Sequence, residues 1–139
     1  MQIELPISKS IANRWLMLQA IHGDELMPVS ATMPEDVQIL HRALTTLKTF
    51  RTSETLSTPH INVGNCGTAM RFLTAYAAQL ENKVTVLDGV ERMRHRPIGQ
   101  LVDALREIGA DIEYLGEEGF PPLRIKGCIL DKHRIVTIN

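Results

Sequence analysis

A chain of 139 residues is long enough to bury one proper core or two small packed units, and 44% hydrophobic with 22% charged residues is ordinary for a globular protein. A formal net charge of −1 argues against a general nucleic-acid binder, which carries a basic excess, so any anion site has to be local. Two cysteines, Cys66 and Cys128, stand in no CxxC and in no metal-ligand spacing with the five histidines. No apolar run reaches membrane-spanning length and no leader is evident. A reduced, cytoplasmic protein without a metal is therefore expected.

In chain order, residues 1–5 read as a short strand closed by Pro6. Residues 10–21 are helical in type, with Ile11, Trp15 and Leu18 on one face and His22-Gly23 as the stop. Residues 25–29 are a strand candidate. Met33-Pro34-Glu35-Asp36 opens a second helix, with Val37, Leu40, Leu44 and Leu47 at i, i+3, i+7 and i+10. Residues 48–59 are polar and read as a loop or weak edge strands, and 60–63 return to strand character. Thr68 is the expected N-cap of a helix running to Leu80, followed by a strand over 83–87. Pro97 opens a helix to Ile108, with Ile98, Leu101, Leu105 and Ile108 in the same apolar spacing and Gly109 as its C′ residue. Residues 111–114 and 123–126 read as strands joined by a turn-rich connection, and 134–138 start another.

Helix, strand, helix and strands thus occur twice. Arg71 follows Arg14 by 57 residues and Ala104 follows Ala43 by 61. An internal duplication is expected, giving an α/β (α+β) fold of stacked repeats whose first helices point their basic N-terminal turns the same way.

Three basic stretches carry the candidate chemistry. Gly64-Asn65-Cys66-Gly67-Thr68-Ala69-Met70-Arg71 leads into an apolar helix, and bare backbone N–H groups at a helix start are a site for an anion. Arg71 beside that positive end runs against the macrodipole and points to a negative partner. Ser8-Lys9-Ser10 with Arg14 repeats the arrangement, although alone it reads more simply as a capping serine with solvated cations. Arg92, Arg94 and Arg96 alternate, and share one face if the segment is extended; Arg96 then sits beside a helix start, suited to gripping carboxylate or phosphate. Arg94 and His95 read as solvated surface, Asp36 as a first-turn acid more readily than a site carboxylate, and Cys66 as a packing residue rather than a nucleophile.

Together these stretches resemble the 3-phosphoshikimate 1-carboxyvinyltransferase (EPSP synthase) family. Its Ser-Lys-Ser-x-x-Asn-Arg pattern appears at residues 8–14, and its Gly-Asn-Ala-Gly-Thr-Ala-Met-Arg loop at 64–71. Its Arg-Met-x-x-Arg-Pro-Ile-Gly-x-Leu-Val-Asp-Ala-Leu appears at 92–105, and Pro-Pro-Leu at 121–123. UDP-N-acetylglucosamine enolpyruvyl transferase shares the fold and chemistry, but its Lys-Asn pair does not match Lys9-Ser10. The resemblance implies repeated βαβαββ units, repeat one over about 8–63 and repeat two over about 64–139, in the N-terminal part of a two-domain enzyme whose second domain this chain does not contain. It implies that Lys9 and Arg96 act on phosphoenolpyruvate, and that Ser10 and Arg14 hold shikimate 3-phosphate. Asn65 and Gly67 line the phosphoenolpyruvate subsite, where glyphosate also binds. Thr68 lies between the ligands, and Arg71 supports the loop or a nearby phosphate. No cofactor, nucleic acid or membrane is implied; the parent enzyme is expected to be a monomer and this chain alone to be inactive. A stand-alone phosphate-ligand module is the alternative. Ile7 where the family has glycine, Cys66 for alanine and His95 for an acidic residue are the departures.

Overall fold

The computed structural model of the chain describes residues 7–55 and 57–138; the strand expected over 1–5 lies outside them. Helix α1 (Lys9–His22) ends where expected. Gly23 sits at φ 85°, a left-handed conformation that glycine adopts without a Cβ clash. From there the amides of Gly23 and Asp24 return to the carbonyls of Ala20 and Gln19. Helix α2 (Glu35–Thr52) buries Val37, Leu40, Leu44 and Leu47, as the spacing predicts, and continues through the first residues of the expected loop. Each buried leucine contributes about 1.5–3 kcal/mol over an exposed one.

The covered face of α1 is not the one that carries its larger apolar side chains. Ala12, Leu16 and Ala20 are buried against α2, whereas Ile11, Trp15 and Leu18 are 60, 54 and 60% exposed. Small alanines let two helices approach closely, so the contact forms on the alanine side and the larger apolar side chains stay uncovered. The strand expected over 25–29 does not form either. Met27 donates its N–H to Gln19 Oε1 at 2.9 Å, which ties this segment to α1. Residues 134–138 also lack strand structure.

Residues 60–126 build a βαβαββ unit: β1 (His60–Asn62), α3 (Gly67–Ala77), β2 (Val84–Asp88), α4 (Gly99–Glu107), β3 (Asp111–Tyr114) and β4 (Leu123–Lys126). They form a mixed four-stranded sheet of order β1-β2-β4-β3. β1 runs parallel to β2, with α3 as the crossover, and the remaining pairs are antiparallel. The register places Ile61, Leu87 and Leu123 in one row across the sheet, and Thr85, Ile125 and Ile112 in another. All six are buried. Because directly opposed residues share a face, these rows define the side packed beneath the helices. On α4 the buried seam is Ile98, Val102 and Leu105, with Leu101 and Ile108 only half-buried. The α/β class stands; among the described residues one βαβαββ unit forms, over 60–126, and α1 and α2 have no strand between them. α2 packs between α1 and α3, so the starts of α1 and α3 belong to one body.

Candidate functional site

The two helix starts carry the basic motifs. Ser8 is the N-cap of α1, in an extended conformation and without a side-chain cap bond, so Lys9 and Ser10 are the first two helical residues. Arg14, one turn on, donates to Ser10 Oγ. Lys9 Nζ lies 3.0 Å from Asp36 Oδ2 in the first turn of α2. Asp36 therefore fills both roles weighed for it, a first-turn acid and a carboxylate beside the site.

At α3 the N-cap is Cys66, not Thr68. The Cys66 thiol accepts the Ala69 N–H at 3.4 Å, and the helix begins at Gly67. Burial pushes the Cys66 thiol pKa up; the Ala69 bond opposes this, and the Asp36 carboxylate adds to it. A thiol kept protonated is a packing residue, as read from the sequence. Displaced from the cap, Thr68 lies exposed on the second helical position. The amides of Gly67 and Thr68, the first two of the helix, have no intrahelical acceptor and remain available to an anion.

The segment 92–96 is not extended. Glu91–His95 form a short 3-10 helix, in which residues two apart diverge by about two-thirds of a turn. Arg94 and Arg96 consequently separate. Arg94 is not solvated filler: its Nε and Nη2 grip Asp88 Oδ1 and Oδ2 at 3.0 and 2.6 Å, and this pairing holds the Asp88 carboxyl below the usual carboxylate range. Arg96 instead donates from Nη1 to the Asn65 carbonyl at 3.0 Å, and its guanidinium lies directly against Gly67. A Cβ at residue 67 would stand 2.5 Å from Arg96 Nη2. Any side chain at 67 displaces the guanidinium, so glycine there is what lets the arginine sit where it does. Arg71, the fifth residue of α3, reaches back to the Gly67 carbonyl at 3.2 Å and across to that of Pro97 at 3.4 Å.

Lys9, Ser10, Arg14, Thr68 and Arg71 line one cavity of about 320 Å³, with Asn13 in its wall. Asn65, Gly67 and Arg96 adjoin it through the Gly67–Thr68 step. All eight site residues expected from the sequence thus fall at one place. Their pairing separates the site's arginines from Arg94, though not from Arg106, which also rests on a backbone carbonyl outside the site. Arg14, Arg71 and Arg96 are held by a hydroxyl and by backbone carbonyls, with no carboxylate partner among the described residues. Neutral acceptors orient a guanidinium without cancelling its charge. Arg94, held by Asp88, is neutralised and serves the scaffold. Asn13 stands in the family pattern at residues 8–14 but is given no role by the sequence, although its place one and two turns before Leu16 and Ala20 on the buried side of α1 is a usable signal. Among the described residues there is no group of three or more His, Cys, Asp or Glu side chains able to hold a metal, and no helix is long and apolar enough to cross a membrane.

The sequence model of the family described as EPSP synthase (3-phosphoshikimate 1-carboxyvinyltransferase) matches residues 1–139. The chain belongs to this family. The 3-phosphoshikimate 1-carboxyvinyltransferase of Bacteroides fragilis is 44% identical over 125 residues, covering 90% of this chain and 28% of the relative. That of Cellvibrio japonicus is 46% identical over 138 residues, covering 89 and 32%. An EPSP synthase structure from Acinetobacter baumannii superposes with a TM-score of 0.66 at 21% identity, over 92% of this chain and 32% of that one, which shows a shared fold. The chain spans roughly 28–32% of the length of these relatives.

Proposed function

We propose that the protein to which this EPSP synthase-family chain contributes transfers the enolpyruvyl group of phosphoenolpyruvate to the 5-hydroxyl of shikimate 3-phosphate. The observation that carries this reading is the set of unneutralised cations, Arg14, Arg71 and Arg96, gathered with Lys9 at the starts of α1 and α3. Two anionic substrates repel each other, and oriented cations at two positive helix ends offset that repulsion. In this reading Ser10 and Arg14 hold shikimate 3-phosphate, while Lys9, Arg96 and the Asn65–Gly67 loop take phosphoenolpyruvate. Thr68 lies between them, and Arg71 braces the loop. The 5-hydroxyl gives up its proton to a general base as its oxygen adds to C2 of phosphoenolpyruvate, and a general acid delivers a proton to C3, giving a tetrahedral intermediate. Loss of phosphate from C2 and of a proton from C3 then restores the double bond. Lys9 and Arg96 supply charge and orientation, and further acid–base groups come from outside these 139 residues.

This reading makes the chain the N-terminal part of a larger two-domain enzyme, its first repeat over about 8–63 and its second over about 64–139. Such an enzyme works as a cytoplasmic monomer on small molecules. The 139 residues alone leave the cavity open to water, where each clamp acts at high dielectric, so they are expected to bind weakly and release no phosphate. The test is phosphate release from the two substrates by the complete gene product. Lys9→Ala and Arg96→Ala should each cut kcat/KM by about 10²-fold or more, as loss of a charge-stabilising donor does. Near-normal turnover in both variants refutes the site, and no turnover in the unmodified protein refutes the function.

A further inference from the structure

Asn13 stands out within the cavity. It is 2% exposed, it lines the same space as Lys9, Arg14, Thr68 and Arg71, and its Oδ1 is a buried oxygen without a hydrogen-bond partner. It follows the buried seam of α1, one and two turns before Leu16 and Ala20, where an apolar residue would pack without desolvation cost and with better helix propensity. A polar side chain kept there, with its acceptor unsatisfied, is built for something that arrives.

The neighbouring groups indicate what arrives. Lysine and arginine offer donors only, and they take the acceptor oxygens of phosphate or carboxylate. The Asn13 amide brings a donor and an acceptor together among the cations, as the hydroxyls of Ser10 and Thr68 also do, but it is the buried one of the three and its acceptor has no partner. An ionised phosphate oxygen can satisfy its NH₂ but not its Oδ1. A hydroxyl both donates and accepts, so it satisfies the amide in either orientation. We propose that Asn13 is a specificity-determining contact, whose side-chain amide reads a ring hydroxyl of a phosphorylated, polyhydroxylated ligand while the adjacent cations hold its phosphate. This rests on the functional reading above and names a further residue for it.

The test is calorimetric binding to the complete enzyme of shikimate 3-phosphate, its 4-deoxy and 5-deoxy analogues, and inorganic phosphate. Asn13→Leu, close in size, should weaken shikimate 3-phosphate about tenfold or more, because a site that pairs a hydroxyl loses that pairing outright. Inorganic phosphate should stay within twofold. With one of the deoxy analogues the effect of the substitution should vanish, since side chain and hydroxyl then form one coupled pair. An equal loss for every ligand would mean that the amide supports the protein rather than reads the ligand, and would overturn the proposal, as would no loss at all. Should Asn13→Leu fail to fold, the unmodified enzyme still decides: equal affinity for shikimate 3-phosphate and both deoxy analogues means that no hydroxyl is read. If the unmodified enzyme binds shikimate 3-phosphate no better than inorganic phosphate, the functional reading falls and this proposal with it. If it binds well but all losses are uniform, this proposal alone falls.

Discussion

Replacing Gly67 by alanine puts a methyl group into space already held by Arg96. The new Cβ would lie 2.5, 2.7 and 2.8 Å from the Nη2, Cζ and Nη1 atoms of the guanidinium, whereas ordinary contacts begin near 3.4 Å. The group must retreat by ~1 Å, and because it ends a flexible side chain it can do so without unfolding α3. That retreat stretches the 3.0 Å bond from Nη1 to the Asn65 carbonyl beyond hydrogen-bonding range. A hydrogen bond to a charged group is worth about 1.5–3 kcal/mol, and a misplacement of 1 Å costs about 10²-fold in rate. Alanine meanwhile favours the helix by up to ~1 kcal/mol. Gly67→Ala in the complete enzyme should therefore raise KM for phosphoenolpyruvate about 10–100-fold, leave KM for shikimate 3-phosphate nearly unchanged, and keep or raise Tm. Steady-state kinetics with each substrate varied in turn, beside a thermal melt, give the three numbers. An unchanged KM for phosphoenolpyruvate, or a variant structure with Arg96 unmoved, would refute the argument that glycine at 67 lets the arginine sit where it does.

The scaffold pair Arg94–Asp88 should show itself in acid. A carboxyl lowered by its partner contributes stability above its unfolded pKa of ~3.9 and loses it as pH falls through the lower folded value. Arg94→Gln should lower Tm at neutral pH, with the gap closing below about pH 4; a gap that persists there means packing, not charge, was lost. The Cys66 thiol, buried and raised, should alkylate more slowly than half-buried Cys128 at mildly alkaline pH, and Cys66→Ala should keep turnover while losing about 0.5–1 kcal/mol of cap stabilisation. Loss of turnover in Cys66→Ala would restore the nucleophile reading. Asp36→Asn removes a counter-charge from a partly exposed pair, so stability should change by less than about 1 kcal/mol. Inorganic phosphate should then bind a few-fold tighter at low salt and equally at high salt; weaker binding at low salt would mean that Asp36 orients Lys9 more than it neutralises it.

Much of the scaffold is legible because its signals are local. Val37, Leu40, Leu44 and Leu47 mark a buried stripe whatever α2 packs on, and Gly23 and Gly109 stop their helices for reasons contained in their own backbone. What local signals miss is tertiary choice. Ile11, Trp15 and Leu18 do form an apolar face, but periodicity says which face is apolar and not which is covered. Thr68 is a better cap than Cys66 by residue preference, yet the turn anchored by Gly64 N–H on Asn62 Oδ1 at 2.7 Å brings the helix in two residues early.

The site was legible as a set of residues and illegible as an electrostatic device. Arg94 and Arg96 are two positions apart and chemically identical, and the sequence ranks Arg96 first only by its place beside a helix start and by the family pattern, not by what holds either side chain. The 3-10 turn sends Arg94 to a carboxylate, which silences it, and leaves Arg96 on a carbonyl, which does not. The same distinction sorts Arg14 and Arg71 from Arg124, whose guanidinium faces Glu113 across the β3–β4 pair. A cation near a helix start is disfavoured by the macrodipole, so clustering several of them at two such ends is unfavourable for folding unless something else holds them. Here neutral oxygens of Ser10, Gly67, Pro97 and Asn65 hold the arginines, and Asp36 holds the lysine alone. The positive charge is thereby oriented and left uncompensated, ready for an anion to complete. Three of these oxygens are backbone carbonyls, available on any residue, which is why pattern reading finds the cations and cannot find what keeps them charged.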